Sequence, residues 1–164
     1  MDEVCLLEVA KELKDFGWYK DRDTDSLDLT NETGEVSKFQ LLRVFEFDSD
    51  RKAMSVVVRD TATKKIYVFV KGADSSIKTM LKKGDPAHDQ VVKKVYEDVE
   101  VFAEQGLRTL TFAYRELNET TEWVSEIMLN GWDSLRSRDV ESEMTICGAT
   151  GVEDLLQENV KVCI

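Results

Sequence analysis

The chain has 164 residues, 42% of them apolar, a single proline, and a formal net charge of −11. That length is one domain's worth, that composition excludes intrinsic disorder, and a fold of this size buries roughly two-thirds of its surface. The acidic balance excludes a broad nucleic-acid face, though not one small anion in a locally basic pocket, because screening limits distant charges to about 10 Å. No stretch approaches the ~20 apolar residues of a membrane span, and the acidic start Met1-Asp2-Glu3 is unlike a signal peptide. Cys5, Cys147 and Cys163 are an odd number without CxxC spacing, which predicts reduced thiols in a cytosolic compartment.

Along the chain, Leu6, Leu7, Ala10 and Leu13 recur at helical spacing and predict an amphipathic helix over 4–16, closed near Gly17. Residues 20–34 are polar and read as loop. Strand-like apolar density returns from Val36 to Phe47. The run Met54 to Arg59 and the run Ile66 to Val70, joined by Asp60-Thr61-Ala62-Thr63-Lys64, predict a hairpin. A helix is expected over 90–105, with Val92, Val95, Tyr96, Val99, Phe102 and Ala103 on one face and Gly106 as its left-handed cap. Leu107 to Tyr114 reads as a buried strand. Residues 121–137 read as a third helix with Trp123, Ile127 and Leu135 inward, and Met144 to Cys147 as a short strand before a mixed tail, 150–164. Helices interspersed with a clear hairpin predict an α+β fold.

Few stretches carry chemistry. Asp21, Asp23, Asp25 and Glu32 fall at positions 1, 3, 5 and 12 of a calcium-binding EF-hand loop. Ser26 replaces the glycine of the sharp turn, Asp28 replaces an apolar residue, and a strand follows where the exiting helix should stand, so a solvated acidic loop is the better reading. His88, the one histidine, stands in a polar loop after Gly84-Asp85-Pro86, without partners for catalysis or metal binding. No GxSxG, GxxxxGK[ST] or GxGxxG motif occurs. Lys52, Lys71 and Arg108 remain, three cations at expected strand ends. Five of the seven residues from Glu46 to Lys52 are charged, a kink just after Phe47. Ordinary surface salt bridges, each worth ~0–1 kcal/mol, would account for the cations. A base stacked on Phe47 with Lys52 and Lys71 beside it would account for them and for the aromatic residue.

Five stretches, read together, resemble the nucleotide-binding (N) domain of P-type ATPases. "FEFDSDRKAMSVVVRD" is similar to its F-x-S-x-R-K-x-M-S-V segment, "VKGADSSI" to its K-G-A segment and "EQGLRTLTFAYREL" to its G-L-R-x-L segment. "GATGVEDLLQENV" is similar to the return stretch toward the phosphorylation domain. "MDEVCLLEVAKELKDFGW" resembles S-P-D-E-x-A-L-V-x-x-A without its first two residues. Order and approximate spacing agree over nearly the whole chain. The wording is most like the P4 class, the phospholipid flippases: Ser49 stands two residues after Phe47 where calcium pumps carry arginine, and "GLRTL" and "GATGVEDLLQ" follow the flippase pattern.

The resemblance implies a twisted, mostly antiparallel sheet flanked by helices. It implies one domain over 1–164, an excised piece lacking its first strands, with 150–164 as the return segment. It implies a cytosolic part of an integral membrane pump whose partners are ATP and the pump's other domains, with phospholipid met only through an absent membrane domain. Phe47 would stack on adenine. Lys71 would line the base pocket and reach toward the ribose or α-phosphate, and Lys52 and Arg108 would face the phosphates. Glu3 would lie near the adenine amino group and Ser49 at the rim. Magnesium would arrive with ATP. The motifs D-K-T-G-T and D-G-x-N-D are absent, so no catalytic or metal-ligating residue is expected within this chain. The alternatives are the N domain of a cation pump and, given Leu155 where flippases usually have lysine, an acidic interaction module without nucleotide binding.

Overall fold

The computed structural model describes residues 18–23, 26–30, 34–117 and 131–153, with Leu6, Val9, Val124, Ile127 and Leu129 as single positions. Among the described residues seven strands form one sheet in sequence order: β1 Trp18–Asp23, β2 Ser26–Thr30, β3 Val36–Asp48, β4 Ala53–Asp60, β5 Ile66–Gly72, β6 Arg108–Leu117 and β7 Thr145–Val152. Every neighbouring pair is antiparallel. Among the described residues, three α-helices with defined bounds interrupt the meander: α1 Asp74–Met80, α2 Pro86–Glu104 and α3 Ser137–Val140. The α+β expectation holds. The amphipathic helix expected over 4–16 lies outside the described residues, apart from Leu6 and Val9, both helical.

The β4–β5 hairpin forms where the β-branched runs predict it. On β5, Ile66, Val68, Val70 and Gly72 are buried while Tyr67, Phe69 and Lys71 alternate to the other face. The Asp60 carboxylate organises the connection, accepting from the Ala62 amide at 2.8 Å and the Thr63 hydroxyl at 2.7 Å. Val57, Val68, Ala113 and Ile146 from the buried face meet Ile77 of α1 and Leu81, with Val92, Val95 and Tyr96 of α2 packed against them. Each fully buried branched side chain contributes roughly 1.5–3 kcal/mol. The Tyr96 hydroxyl donates to the Asp74 carbonyl at 2.8 Å, joining the two helices. Burial, then the nearby Asp74 charge, pushes its phenol up to about 12.

Several expectations need correction. The segment read as loop over 20–34 contains β1 and β2. Leu27 and Leu29 carry the strand alternation beneath an acidic composition, and β2 pairs with β3 through Leu27 opposite Phe39. Asp21 and Asp23 therefore lie on a strand, with Asp21 opposite Asp28, and Asp28 bonds Lys38 at 3.3 Å. α1 was not expected, since seven residues are too few to display a helical period. The helix expected over 121–137 is helical at Val124, Ile127 and Leu129, but Gly131 at φ +90° precedes a 3₁₀ turn, Trp132–Ser134. Leu135 is buried as expected, although it follows that turn, and Trp123 lies outside the described residues. β7 runs to Val152, well past Cys147, through glycines that weaken its strand signal.

α2 begins earlier than expected, at Pro86, because Asp85 caps it by accepting from the Ala87 and His88 amides at 3.2 and 3.3 Å. Its far end follows expectation. Gly106 is left-handed at φ +75°, its amide donates to Ala103, and the Leu107 amide donates to Phe102. His88 is in the first turn of α2 and not in a loop. It is buried, and its Nε2 accepts from the Ile146 amide at 3.0 Å, tying α2 to β7.

The Asp85 cap gives an acid-lability prediction. Hydrogen bonds from the His88 amide and from Lys82 hold the Asp85 carboxyl below its ordinary 3.8. As pH falls, the unfolded chain takes up that proton first. The stabilisation is therefore complete above the ordinary value and is lost as pH falls through the lowered folded value. Asp85→Ala is expected to lower the unfolding temperature at neutral pH and to flatten its decline below about pH 4. Thermal unfolding across pH 2.5–7 checks both.

Candidate functional site

The charged stretch after Phe47 is the reversal between β3 and β4, not a kink within one strand. Asp48 pairs with Ala53, the Lys52 amide donates to the Asp48 carbonyl at 2.6 Å, and the Asp48 carboxylate accepts from the Asp50 amide at 2.8 Å. Lys52 closes the turn in the left-handed region, φ +50°. Just before the turn the ladder slips: Phe45 faces Ser55 and Asp48 faces Ala53, so Glu46 and Phe47 together oppose Met54. This is a β-bulge, a device that re-aims a side chain. Phe47 is 65% exposed, an unusual state for a large aromatic residue within a strand.

Phe47 forms one wall of a cleft of about 560 Å³, a size suited to a small-molecule ligand. Ser49 and Lys52 enter from the β3–β4 turn, Met54 from β4, Lys71, Gly72 and Ala73 from the end of β5, and Thr109 and Leu110 from the start of β6. Lys71 lies within β5 and not after it, paired with Met54 on one side and Phe112 on the other. Its side chain is on the face opposite the buried Val70 and Gly72. The turn closes tightly against β5, where the Ala73 amide donates to the Lys52 carbonyl at 2.9 Å.

Four of the six expected site residues, Phe47, Ser49, Lys52 and Lys71, thus come together from two hairpins. Arg108 opens β6 opposite Val152, exposed, two residues before Leu110 and so on the same face, without lining the cleft itself. Glu3 lies outside the described residues. No group of three or more His, Cys, Asp or Glu among the described residues is arranged to hold a metal.

Sequence reasoning missed a buried network behind the turn. Glu141, 4% exposed at its side chain, pairs with Arg51 and accepts from the Ser55 hydroxyl at 2.5 Å. Arg51 also donates to the Glu46 carbonyl at 2.8 Å and the Phe45 carbonyl at 3.4 Å. A buried pair of this kind is costly to break, about 3–5 kcal/mol when one partner is removed. Arg51 falls inside the stretch that carries the resemblance. Glu141, 90 residues later, gives no local signal.

Residues 1–159 fit the family described as P-type ATPase, cytoplasmic domain N, and the chain belongs to it. It is 36% identical over 167 residues to the human "Phospholipid-transporting ATPase IH", covering 96% of this chain and 14% of that protein. It is 36% identical over 170 residues to "Phospholipid-transporting ATPase DNF1" of Chaetomium thermophilum, covering 97% of this chain and 10% of that protein. To the human "Phospholipid-transporting ATPase VD" it is 37% identical over 139 residues, 74% of this chain and 10% of the other. The chain therefore spans only about a tenth to a seventh of the length of these three relatives. Among the described residues no helix is long and apolar enough to cross a membrane.

Proposed function

We propose that this chain is the cytosolic ATP-binding domain of a phospholipid-transporting P-type ATPase. In this reading the sheet is the twisted, helix-flanked sheet of that domain, and its task is to capture ATP and position it for phosphoryl transfer to an aspartate in another domain of the pump. The observation that carries the reading is the convergence of Phe47, Lys52 and Lys71 in one cleft of a strongly acidic chain. The exposed Phe47 ring offers a stacking face for adenine, an interaction worth ~1–3 kcal/mol. Lys71 reaches the ribose or α-phosphate, Lys52 and Arg108 meet the phosphates, and Ser49 borders the base. Lysine ammonium groups suit this as mobile point charges.

The residues fit ATP better than a preformed metal site, because among the described residues cations and an aromatic line the cleft and carboxylates do not. Magnesium would be carried in by the nucleotide, where it neutralises phosphate charge. The chain's own contribution is orientation. ATP hydrolysis, phospholipid movement and attachment to a membrane belong to the whole pump in this reading. The phospholipid-transporting relatives favour that cargo over a cation.

The test is titration of the 164-residue chain with Mg-ATP and with adenosine, followed by amide NMR. A Kd of about 1 mM corresponds to only about −4 kcal/mol, so several millimolar ligand is needed. Saturable shifts around Phe47, Lys52 and Lys71 are expected. A folded chain without shifts would defeat the reading and favour an acidic interaction module. Arg108→Ala is expected to weaken ATP several-fold while leaving adenosine nearly unchanged. Equal losses for the two ligands would remove Arg108 from the phosphates.

A further inference from the structure

Arg51 does not line the cleft, yet it holds the backbone that presents Phe47 to it. The Glu46 and Phe45 carbonyls belong to the bulge immediately before Phe47, and one guanidinium nitrogen, Nη2, donates to both, at 2.8 and 3.4 Å. The other, Nη1, is bound by Glu141, which is itself fixed by Ser55 from the neighbouring strand. One planar cation therefore links the bulge to an anchor contributed by a segment 90 residues away.

We infer that Arg51, anchored by Glu141 and Ser55, is a positioning residue that fixes the Phe47 ring for stacking on a flat heteroaromatic ligand. A bulge interrupts ladder pairing and leaves an extra residue unpaired, so its backbone groups need another partner to hold them in place. Without the fork to these carbonyls the ring would have to be ordered as the ligand binds, and that ordering cost comes out of the affinity. The inference rests on the nucleotide reading of the cleft. The role is specific to arginine, because its two Nη groups reach Glu141 and the bulge carbonyls at once, whereas an ammonium is a single compact point charge.

Arg51→Lys separates positioning from folding. Its unfolding temperature is expected to stay close to that of the unaltered chain, while adenosine binding weakens on the order of tenfold. Combined with Phe47→Ala, the same substitution is expected to have no further effect on adenosine. Glu141→Gln, which keeps an acceptor oxygen, is expected to show a smaller loss with the same dependence on Phe47. A ligand-free readout accompanies these: fluorine NMR of the chain carrying fluorophenylalanine should show the Phe47 resonance sharp in the unaltered chain and broadened or shifted in Arg51→Lys.

Unweakened adenosine binding by Arg51→Lys, or an equal loss with and without Phe47, would overturn the inference. So would a Phe47 resonance unmoved by the substitution. Failure of the unaltered chain to bind adenosine would instead overturn the nucleotide reading, and the fluorine signal would still decide whether Arg51 orders the ring.

Discussion

Phe47→Ala is expected to weaken ATP, AMP and adenosine by a common factor of about five to a hundredfold, the worth of one base stacked on an aromatic ring. The common factor is the diagnostic. The base is the part shared by all three ligands, whereas the phosphates differ in number and charge. Folding should barely change, because the ring is 65% exposed and substitutions at such surface positions usually stay within about 0.5 kcal/mol. Calorimetric titration with each ligand, together with thermal unfolding, reads both quantities. A loss that grows with phosphate number would move the phosphates onto Phe47. Unchanged affinity for all three would mean that the base binds elsewhere.

The parts of this molecule that could be read from sequence are those where one local signal dominates. The β4–β5 hairpin has dense β-branched alternation, and Gly106 closes a long periodic helix, so both appear where expected. β2 is hidden because two leucines alternate inside an acidic stretch whose composition resembles loop. α1 is too short to show its period, and the glycines of β7 weaken its strand signal.

The cleft follows a different rule. Lys52 and Lys71 come from consecutive hairpins, and only the β4–β5 register, which sets Met54 opposite Lys71 and Ala53 opposite Gly72, brings them to the same end of the sheet. Spacing in the chain cannot supply that register, so the residues stand out in sequence as cations at expected strand ends beside an aromatic residue, while their convergence does not. The turn after Phe47 was legible as a disruption, but its form was not. A bulge followed by a reversal and a kink within one strand have the same charged composition. The Arg51–Glu141 pair lies beyond both kinds of signal, because its partners are far apart in sequence and each looks like an ordinary surface charge.

Gly72→Ala should damage fold and cleft together. A Cβ on Gly72 would sit 2.5 Å from the Lys52 carbonyl oxygen, 2.8 Å from the Ala53 Cβ and 2.9 Å from the Ala53 Cα. None of these atoms can swing aside as a long side chain would, so the start of β4 or the end of β5 must move. The hydrogen bond from the Ala73 amide to the Lys52 carbonyl spans the same contact and would be strained. Overpacking of this kind costs about 1–3 kcal/mol. The displaced segments carry Lys52, Lys71 and the turn after Phe47, so nucleotide affinity should fall as well, through misplacement with every ligand-facing side chain still present. Gly34→Ala provides the contrast. Gly34 is strained toward alanine by its φ of +82° but has nothing within 4 Å of a Cβ, and it lies between β2 and β3, outside the cleft lining. It should lower stability and leave affinity intact. Urea unfolding and ATP titration of the two variants measure both effects. If Gly72→Ala binds ATP as tightly as Gly34→Ala at matched stability, the tight closure of the β3–β4 turn on β5 does not shape the cleft.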